Sequence, residues 1–272
     1  MNGTRPGGRD EEALRAQVIE ICARAYGRGF IQSADGNVSC RLGGPGGDLL
    51  VTPSGVNKGR LSPGDVVRTD AEGRPRRAQG KPSGEMALHL WTYRVRPDVG
   101  ACVHAHPPHA IALSLAGVSL AHCLMPEVVF ALGATGIPTA PYATPVTEDL
   151  PRAMEPHLRA FNAVILERHG TLTMGEGLEQ AYDRLEALEH TARITVLARA
   201  LGPTAPLPRA EVDRIIGLAG GIGVKRAIDA CDDCGGCGRA APVATQGADA
   251  GIAGAGPESE AALAERLRRA RA

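Results

Sequence analysis

The sequence predicts a mixed α/β or α+β domain, because helix-like and strand-like segments alternate along the chain. Residues 11–28 and 177–201 carry apolar side chains at helical spacing. Residues 101–106 and 163–167 are short apolar runs next to turn signals, which is typical of buried strands. The chain has 272 residues, of which 43% are hydrophobic, so it can form a core within one large or two small domains.

The remaining elements follow from local composition. Gly27 and Gly29 end the first helix, and Ser83 is the predicted N-cap of the next one, with Glu85 in its first turn. That helix stops before Pro97, because the residue before a proline disfavours the helical conformation. The other predicted elements are strands at 36–41, 48–52 and 66–69, helices at 83–96, 107–115 and 149–158, an apolar segment at 127–132 that fits either type, and an irregular edge segment at 139–142.

The composition changes along the chain and divides it into three parts. Residues 1–9 are polar and glycine-rich, and we expect them to be disordered. Residues 10–220 contain the periodic segments and are predicted to form a single domain. Residues 221–272 are rich in alanine and glycine and end in a charged stretch, so we expect a largely disordered C-terminal extension.

Charge balance and composition argue against several classes of function. The 30 basic and 30 acidic residues give a formal net charge of zero, and aromatic residues make up only 3%, so a nucleic-acid surface is not expected. No stretch approaches the roughly 18–20 apolar residues of a membrane helix, and the N-terminus lacks the apolar core of a signal peptide. We therefore expect a cytoplasmic protein without nucleic-acid or membrane partners.

The seven cysteines are of two kinds. Four lie in apolar or strand-like segments and are predicted to be reduced core thiols: Cys22, Cys40, Cys102 and Cys123. The other three, Cys231, Cys234 and Cys237, form a Cys-x-x-Cys-x-x-Cys run in a glycine-rich setting without an evident fourth metal ligand. A nonessential tail is the favoured interpretation of this run, and metal binding and a redox role are the alternatives.

Two histidines separated by one residue, His104 and His106, carry the strongest chemical signal. They end the apolar run 98–106. Side chains at i and i+2 of a strand share one face, so both imidazoles point the same way, as two ligands of a Zn²⁺-like ion would. His169 follows a second predicted strand, and Glu85 opens the helix before the histidine strand. Three imidazoles and a carboxylate would form a reasonable site for a divalent transition metal.

For His104 and His106, the spacing alone supports metal binding and an ordinary role equally well. Including His169 and Glu85 among the metal ligands needs further support. The remaining histidines are isolated. A lone histidine is more often a core or surface residue than a ligand, and we expect this of His89, His109, His122, His157 and His190.

A series of short motifs in one order supplies that support. The motifs are Gly36-Asn37-Val38-Ser39, Thr52-Pro53-Ser54-Gly55, Lys81-Pro82-Ser83-Gly84-Glu85, His104-Ala105-His106, Ala140-Pro141-Tyr142 and His169-Gly170. Each motif is weak alone, but the ordered series resembles the class II aldolase/adducin family over about residues 11–220. Within that family the chain is closest in type to the L-fuculose-phosphate aldolases.

The resemblance implies a fold, an assembly and a site. The fold is a central, mostly antiparallel sheet flanked by helices, and the assembly is usually a homotetramer with sites at subunit interfaces. One Zn²⁺ per chain would be held by His104, His106 and His169, with Glu85 as carboxylate ligand or base. Hydroxyls, an amide and backbone N–H groups can surround a dianionic phosphate, and those implied here belong to Gly36, Asn37, Thr52, Ser54, Gly55, Ser83 and Gly84.

The resemblance also implies an activity. The expected reaction is zinc-dependent cleavage of a ketose 1-phosphate, such as L-fuculose 1-phosphate, to dihydroxyacetone phosphate and an aldehyde through a metal-stabilised enediolate. A dehydratase acting on a methylthioribulose 1-phosphate-like substrate and a noncatalytic adducin-like interaction module are the alternatives. Adducin-like members lack the metal histidines and this chain has all three, which favours an enzyme.

Three positions bear on how the expected site differs from the family pattern. Ser83-Gly84-Glu85 stands where the family often has Ser-Ser-Glu, so one phosphate-binding hydroxyl is missing. Glu127 occupies the position of an acid tyrosine in fuculose-phosphate aldolase, and a glutamate there resembles the dehydratase branch. We predict Glu127 as a second catalytic residue beside Glu85, with a surface carboxylate as the alternative. Lys58 could add a positive charge to the phosphate site or be an ordinary solvated lysine.

Overall fold

The computed structural model describes residues 8–76 and 80–220, in which helices cover both faces of a seven-stranded sheet. The strands are β1 (Asn37–Leu42), β2 (Asp48–Val51), β3 (Val67–Thr69), β4 (Ala101–Ala105), β5 (Thr139–Ala140), β6 (Ala163–Leu166) and β7 (Gly170–Gly175). The helices are α1 (Gly8–Gly27), α2 (Met86–Val95), α3 (Pro108–Leu115), α4 (Pro126–Leu132), α5 (Asp149–Leu158), α6 (Leu178–Leu201) and α7 (Arg209–Gly220). The predicted mixture of helices and strands is confirmed.

The sheet places β4, the histidine strand, at its centre. The strand order is β3-β2-β1-β4-β7-β6-β5. Neighbouring strands run antiparallel, except that β5 and β6 are parallel. The central, mostly antiparallel sheet that the resemblance implied is therefore correct. The edge segment predicted at 139–142 contains the two-residue edge strand β5.

Two apolar layers pack against the opposite faces of β4. Val103 belongs to a buried cluster with side chains of α1 and α6, whereas Cys102 belongs to a cluster with α2 and α5. Successive side chains of a strand point to opposite faces, so His104 lies on the same face as Cys102. This face is covered by α2, the helix that Glu85 precedes.

Three elements were missed by the sequence analysis, one of them the short 3₁₀ helix Lys58–Arg60, and an ambiguous one is resolved. The threonine- and glycine-rich strand β7 has no long apolar run, and its buried Thr173 instead donates a 2.8 Å hydrogen bond to Ala181 O. Helix α7 packs Val212 and Ala219 against α4, a contact that only the tertiary structure creates. The segment predicted as helix or strand at 127–132 is α4, which starts with a proline and ends at the left-handed Gly133.

Two predicted helix starts were wrong. Helix α1 already begins at Gly8, so residues 8 and 9 belong to it and not to a disordered terminus. Ser83 is not the N-cap of α2, because Glu85 occupies that position and Met86 is the first helical residue. The Glu85 side chain makes no capping hydrogen bond. Its carboxylate is therefore available to the histidines.

Some predictions lie outside the described residues, namely those for 1–7, for the extension 221–272 and for the cysteine run 231–237. All of the described residues belong to one compact unit. The four predicted core thiols are buried, and burial raises the pKa of Cys22, Cys40 and Cys102 to about 12. Within 8–76 and 80–220, no helix has the length and apolar character needed to cross a bilayer.

Candidate metal centre

Neighbouring strands bring the predicted histidines to one end of the sheet. His104 is the fourth residue of β4, and His106 follows the end of that strand. Because Ala105 lies opposite Thr171 in the pairing of β4 with β7, the β6–β7 turn that carries His169 lies beside the end of β4. Glu85 reaches the same place from the start of α2.

The four side chains form a compact set of donor atoms. One ligand atom from each of Glu85, His104, His106 and His169 lies within 4.8 Å of all the others. His104 Nε2 is 3.2 Å from Glu85 Oε2 and 3.1 Å from His106 Nε2, and His169 Nε2 is 3.2 Å from Glu85 Oε1. His104 is buried and the other three are partly exposed, so the set is accessible from one side.

Two glycines are required where the backbone passes close to these histidines. Gly36 has φ +66°, and a Cβ atom there would lie 2.9 Å from the carbonyl oxygen of His104. A Cβ atom on Gly170 would lie 2.5 Å from the carbonyl oxygen of Ala105 and 2.8 Å from His106 Cδ2. A side chain at Gly36 would push β1 away from β4, and one at Gly170 would push β7 away from β4.

A divalent transition metal fits this donor set. His104 Nδ1 donates its hydrogen to Thr171 O over 2.8 Å, so Nε2 is the nitrogen that faces the cluster. Glu85 Oε1 is buried without a hydrogen-bond donor, because the nearby His169 Nε2 lacks hydrogen-bond geometry. Converging lone pairs repel one another unless a cation or a proton lies between them. Imidazole nitrogens and a carboxylate oxygen are ligands that Zn²⁺ takes in sets of four.

Burial and mutual contacts determine the charge of the cluster. Burial disfavours the ionised form of Glu85, but His104 and His169 outweigh this effect and hold the pKa of the carboxyl well below its usual range. Burial, followed by repulsion from His104 and His169, lowers the pKa of His106 to about 3. An ionised carboxylate and a neutral imidazole are the protonation states that bind a metal.

Three of the residues predicted to bind phosphate are buried. Gly36, Asn37 and Thr52 all lie beneath the surface, with Asn37 only 1% exposed. Thr52 Oγ1 accepts a 3.2 Å hydrogen bond from the backbone N–H of Val38, and the Asn37 amide donates to Glu85. The side chains of Asn37 and Thr52 are thus engaged inside the domain.

The other four predicted phosphate residues lie at the surface on two adjoining loops. Ser54, Gly55 and Gly84 are exposed, and Ser83 is half-buried. The loops are joined because Ser54 N–H donates to Lys81 O over 2.9 Å and Ser83 N–H donates to Thr52 O over 3.2 Å. Ser83 and Gly84 directly precede Glu85, so an anion bound at their loop would lie beside the metal centre.

Neither predicted role for Lys58 is correct, because its side chain is buried and bonded to backbone carbonyls. Lys58 is 1% exposed. Its ammonium group donates to Ala34 O at 2.8 Å, Val56 O at 2.9 Å and Pro53 O at 3.1 Å. These carbonyls belong to the loop before Gly36 and the loop that contains Ser54. Lys58 therefore joins the two loops from inside.

We expect Lys58→Met to lower the free energy of unfolding by about 1–3 kcal/mol, because buried carbonyls would lose their donor. Chemical denaturation measures this change. Lys81→Met is the matched control, because Lys81 is an exposed lysine on a neighbouring loop. Equal stability of the two variants would contradict a structural role for the Lys58 ammonium.

Glu127 lies apart from the four metal ligands. It is exposed in the first turn of α4 and lines a cavity of about 230 Å³ together with His190 and other residues of α6. A different cavity, of about 380 Å³, adjoins the cluster and is lined by His106, Asp35 and one side of α3. Within a single chain, Glu127 and the metal ligands therefore face different cavities.

The sequence analysis predicted His89 to be an ordinary core or surface histidine, and it is a core residue, but its connection to the site was not predicted. His89 is fully buried on α2 and contacts Asn37, which in turn contacts Glu85. The spacing of His89 from Glu85 could have indicated this connection, because Glu85 stands four positions before His89 and residues i and i+4 share one face of a helix.

A sheet with three histidines and a glutamate gathered at the end of its central strands defines a class of domains with a candidate metal centre. The comparison with protein families specifies the class further. The model of the Class II Aldolase and Adducin N-terminal domain matches residues 16–196, and the chain belongs to this family. The resemblance drawn from the ordered motifs is therefore confirmed.

Relatives of two activities are similar to the chain. It is 32% identical over 186 residues to 3-oxo-tetronate 4-phosphate decarboxylase of Escherichia coli K12, covering 68% of this chain and 86% of that protein. It is 31% identical over 200 residues to L-fuculose phosphate aldolase of the same strain, covering 73% and 89%.

Solved structures agree with the fold. Escherichia coli YgbL has a TM-score of 0.68 at 31% identity, covering 76% of this chain and 99% of that one. L-fuculose-1-phosphate aldolase from Thermus thermophilus has a TM-score of 0.60 at 31% identity, covering 71% and 98%.

Proposed function

We propose that the protein is a Zn²⁺-dependent aldolase that cleaves a ketose 1-phosphate of the L-fuculose 1-phosphate type into dihydroxyacetone phosphate and an aldehyde. The observation that carries the proposal is the convergence of Glu85, His104, His106 and His169 within 4.8 Å. Membership of a family that includes L-fuculose phosphate aldolase supports the reaction type.

A decarboxylase acting on a 3-oxo-tetronate 4-phosphate is the second candidate, because relatives of that name are as similar to the chain as the aldolases. The ketone and phosphate ends of the two substrates are alike. Loss of CO₂ from the four-carbon acid and loss of an aldehyde from the ketose 1-phosphate leave the same enediolate. Protonation of its carbon gives dihydroxyacetone phosphate in both cases, so the reactions differ in the leaving group.

The residues of the chain suit both reactions. In the direction of cleavage, Glu85 is placed to give a proton to the enediolate carbon, and the reverse, aldol-forming direction uses its ionised form, which its histidine neighbours favour. When bound, Zn²⁺ supplies positive charge beside the substrate oxygens on which negative charge develops. The cavity of about 380 Å³ at His106 offers space for the part of the substrate that leaves.

The phosphate is proposed to bind at the two joined surface loops. Ser54, Gly55, Ser83 and Gly84 offer hydroxyl and backbone N–H donors there, and Gly55 has open space around its Cα atom. Ser83 Oγ accepts a hydrogen bond from Glu85 N–H, so the serine hydrogen is available to an anion. Gly36, Asn37 and Thr52 are buried below these loops and are proposed to support the phosphate site.

We expect Ser54→Ala and Ser83→Ala each to raise KM for a phosphorylated substrate by roughly 10- to 150-fold, because a hydrogen bond to a charged group contributes about 1.5–3 kcal/mol. Steady-state kinetics with phosphorylated and unphosphorylated forms of one sugar measures the effect. Ser119→Ala is the control, since Ser119 is an exposed serine on the turn after α3. An unchanged preference for the phosphorylated form in both variants would place the phosphate elsewhere.

Product analysis tests the proposed function. Zinc-loaded protein is incubated separately with L-fuculose 1-phosphate and with 3-oxo-tetronate 4-phosphate, and dihydroxyacetone phosphate, aldehyde and CO₂ are measured. Aldehyde in equal amount to dihydroxyacetone phosphate supports the aldolase. Release of CO₂ in an amount equal to dihydroxyacetone phosphate, from 3-oxo-tetronate 4-phosphate alone, would instead identify the protein as the decarboxylase. Formation of no product from either substrate or from related ketose phosphates would reject both.

A further inference from the structure

A chain of buried polar side chains runs from Glu85 into the core between β1 and α2. Asn37 Nδ2 lies 2.9 Å from Glu85 Oε2, and Asn37 Oδ1 contacts His89 Nε2. On the far side of the imidazole, Ser39 Oγ lies 2.7 Å from His89 Nδ1 and 2.7 Å from the hydroxyl of Tyr93. None of these four residues is more than 5% exposed. Because polar groups are costly to bury, such a chain is unlike ordinary core packing.

The hydrogen-bonding capacity of each group fixes one direction for the chain. An ionised carboxylate only accepts, so the Asn37 nitrogen faces Glu85 and the Asn37 carbonyl oxygen faces His89. That oxygen also only accepts, so His89 carries its hydrogen on Nε2 and keeps a lone pair on Nδ1. Ser39 then donates to Nδ1 and accepts from Tyr93. Every hydrogen in the chain is donated toward Glu85.

We propose that His89 is a positioning residue for Glu85 and acts through Asn37. The proposal deepens the proposed function, since it rests on Glu85 being a metal ligand or base. The Asn37 N–H holds Glu85 Oε2 and fixes the rotation of the carboxylate, which leaves Oε1 directed at His169. His89 in turn fixes Asn37, because a rotated amide would place two N–H donors face to face.

Zinc affinity of the purified full-length protein tests the proposal. It is measured without substrate by competition with a chromophoric chelator. We expect His89→Leu to bind Zn²⁺ roughly 10- to 100-fold more weakly, as is found when partners of metal ligands are removed. His89→Gln keeps a donor and an acceptor, and it should recover most of the affinity. Thr92→Val is the control, because Thr92 is buried on the same helix and its hydroxyl bonds within the helix to Leu88 O.

Wild-type affinity in His89→Leu, or equal weakening by leucine and glutamine, would overturn the positioning role. If the leucine variant does not fold, nitrogen NMR of the histidines in the wild type decides instead. Its spectrum must show His89 as the neutral Nε2–H tautomer, and a hydrogen on Nδ1 would overturn the proposal. A protein that binds Zn²⁺ as expected but cleaves neither sugar phosphate would reject the proposed function and leave this inference standing.

Discussion

Replacing both His104 and His106 by alanine is expected to remove the metal and nearly all lyase activity. The two imidazoles supply two of the four converging donor atoms, and His104 lies at the buried end of the set. A catalytic metal contributes several kcal/mol to the transition state, and a loss of about 4 kcal/mol corresponds to about 10³-fold in kcat/KM. Metal analysis of the purified protein and steady-state kinetics measure both effects.

The control for this double variant is His157→Ala, which removes a partly buried imidazole on α5. It should leave the metal content at one ion per chain. Circular dichroism must show that the double variant is folded, because loss of the fold would also release the metal. Full metal occupancy in a folded double variant would refute the site.

Replacing Glu127 by glutamine is expected to lower kcat by about 10²–10⁴-fold, the range typical of a general acid or base, while zinc and fold are retained. Aldol cleavage needs a group that moves the proton of the substrate hydroxyl on the side away from the metal. Within one chain Glu127 faces a different cavity from the metal ligands. We propose that it acts on the site of a neighbouring subunit in a homotetramer.

Mixing of inactive variants tests this cross-subunit role. Glu127→Gln chains retain metal ligands, and His104→Ala/His106→Ala chains retain Glu127. If each site takes metal from one chain and Glu127 from the next, random mixing in equal amounts restores about a quarter of the sites. If Glu127 acts within its own chain, no active site is formed.

Glu148→Gln is the control for charge loss, because Glu148 is an exposed carboxylate at the start of a helix, α5. It should have wild-type activity. Near wild-type kcat in Glu127→Gln would reduce Glu127 to an ordinary surface carboxylate. Absence of recovery in mixed oligomers would contradict the cross-subunit assignment.

Much of the fold was predictable from short-range patterns. The long helix at 177–201 and the strands that carry the histidines differ from the observed elements by one residue or two. Apolar spacing sufficed for the helix because its buried residues recur at helical intervals, and an unbroken apolar run sufficed for the strands because both of their faces are buried. Strand β7 and helix α7 escaped prediction because their burial depends on partners distant in sequence.

The candidate site was predictable in its members but not in their arrangement. The spacing of His104 and His106 placed both imidazoles on one side of a strand, and the ordered motifs added Glu85 and His169. Lys58 was misjudged because no local pattern distinguishes a lysine bonded to three carbonyls from a solvated one.

The sequence by itself determined the order of the elements, the shared face of the two strand histidines and the family, because these depend on residue type and on spacing of a few positions. Only the tertiary structure decided which side chains meet. Asn37 and Glu85 are 48 positions apart, and His89 and Asn37 are 52 apart. Such contacts form when β1, β4 and α2 pack together, so the direction of the hydrogen bonds around Glu85 is a property of the folded domain alone.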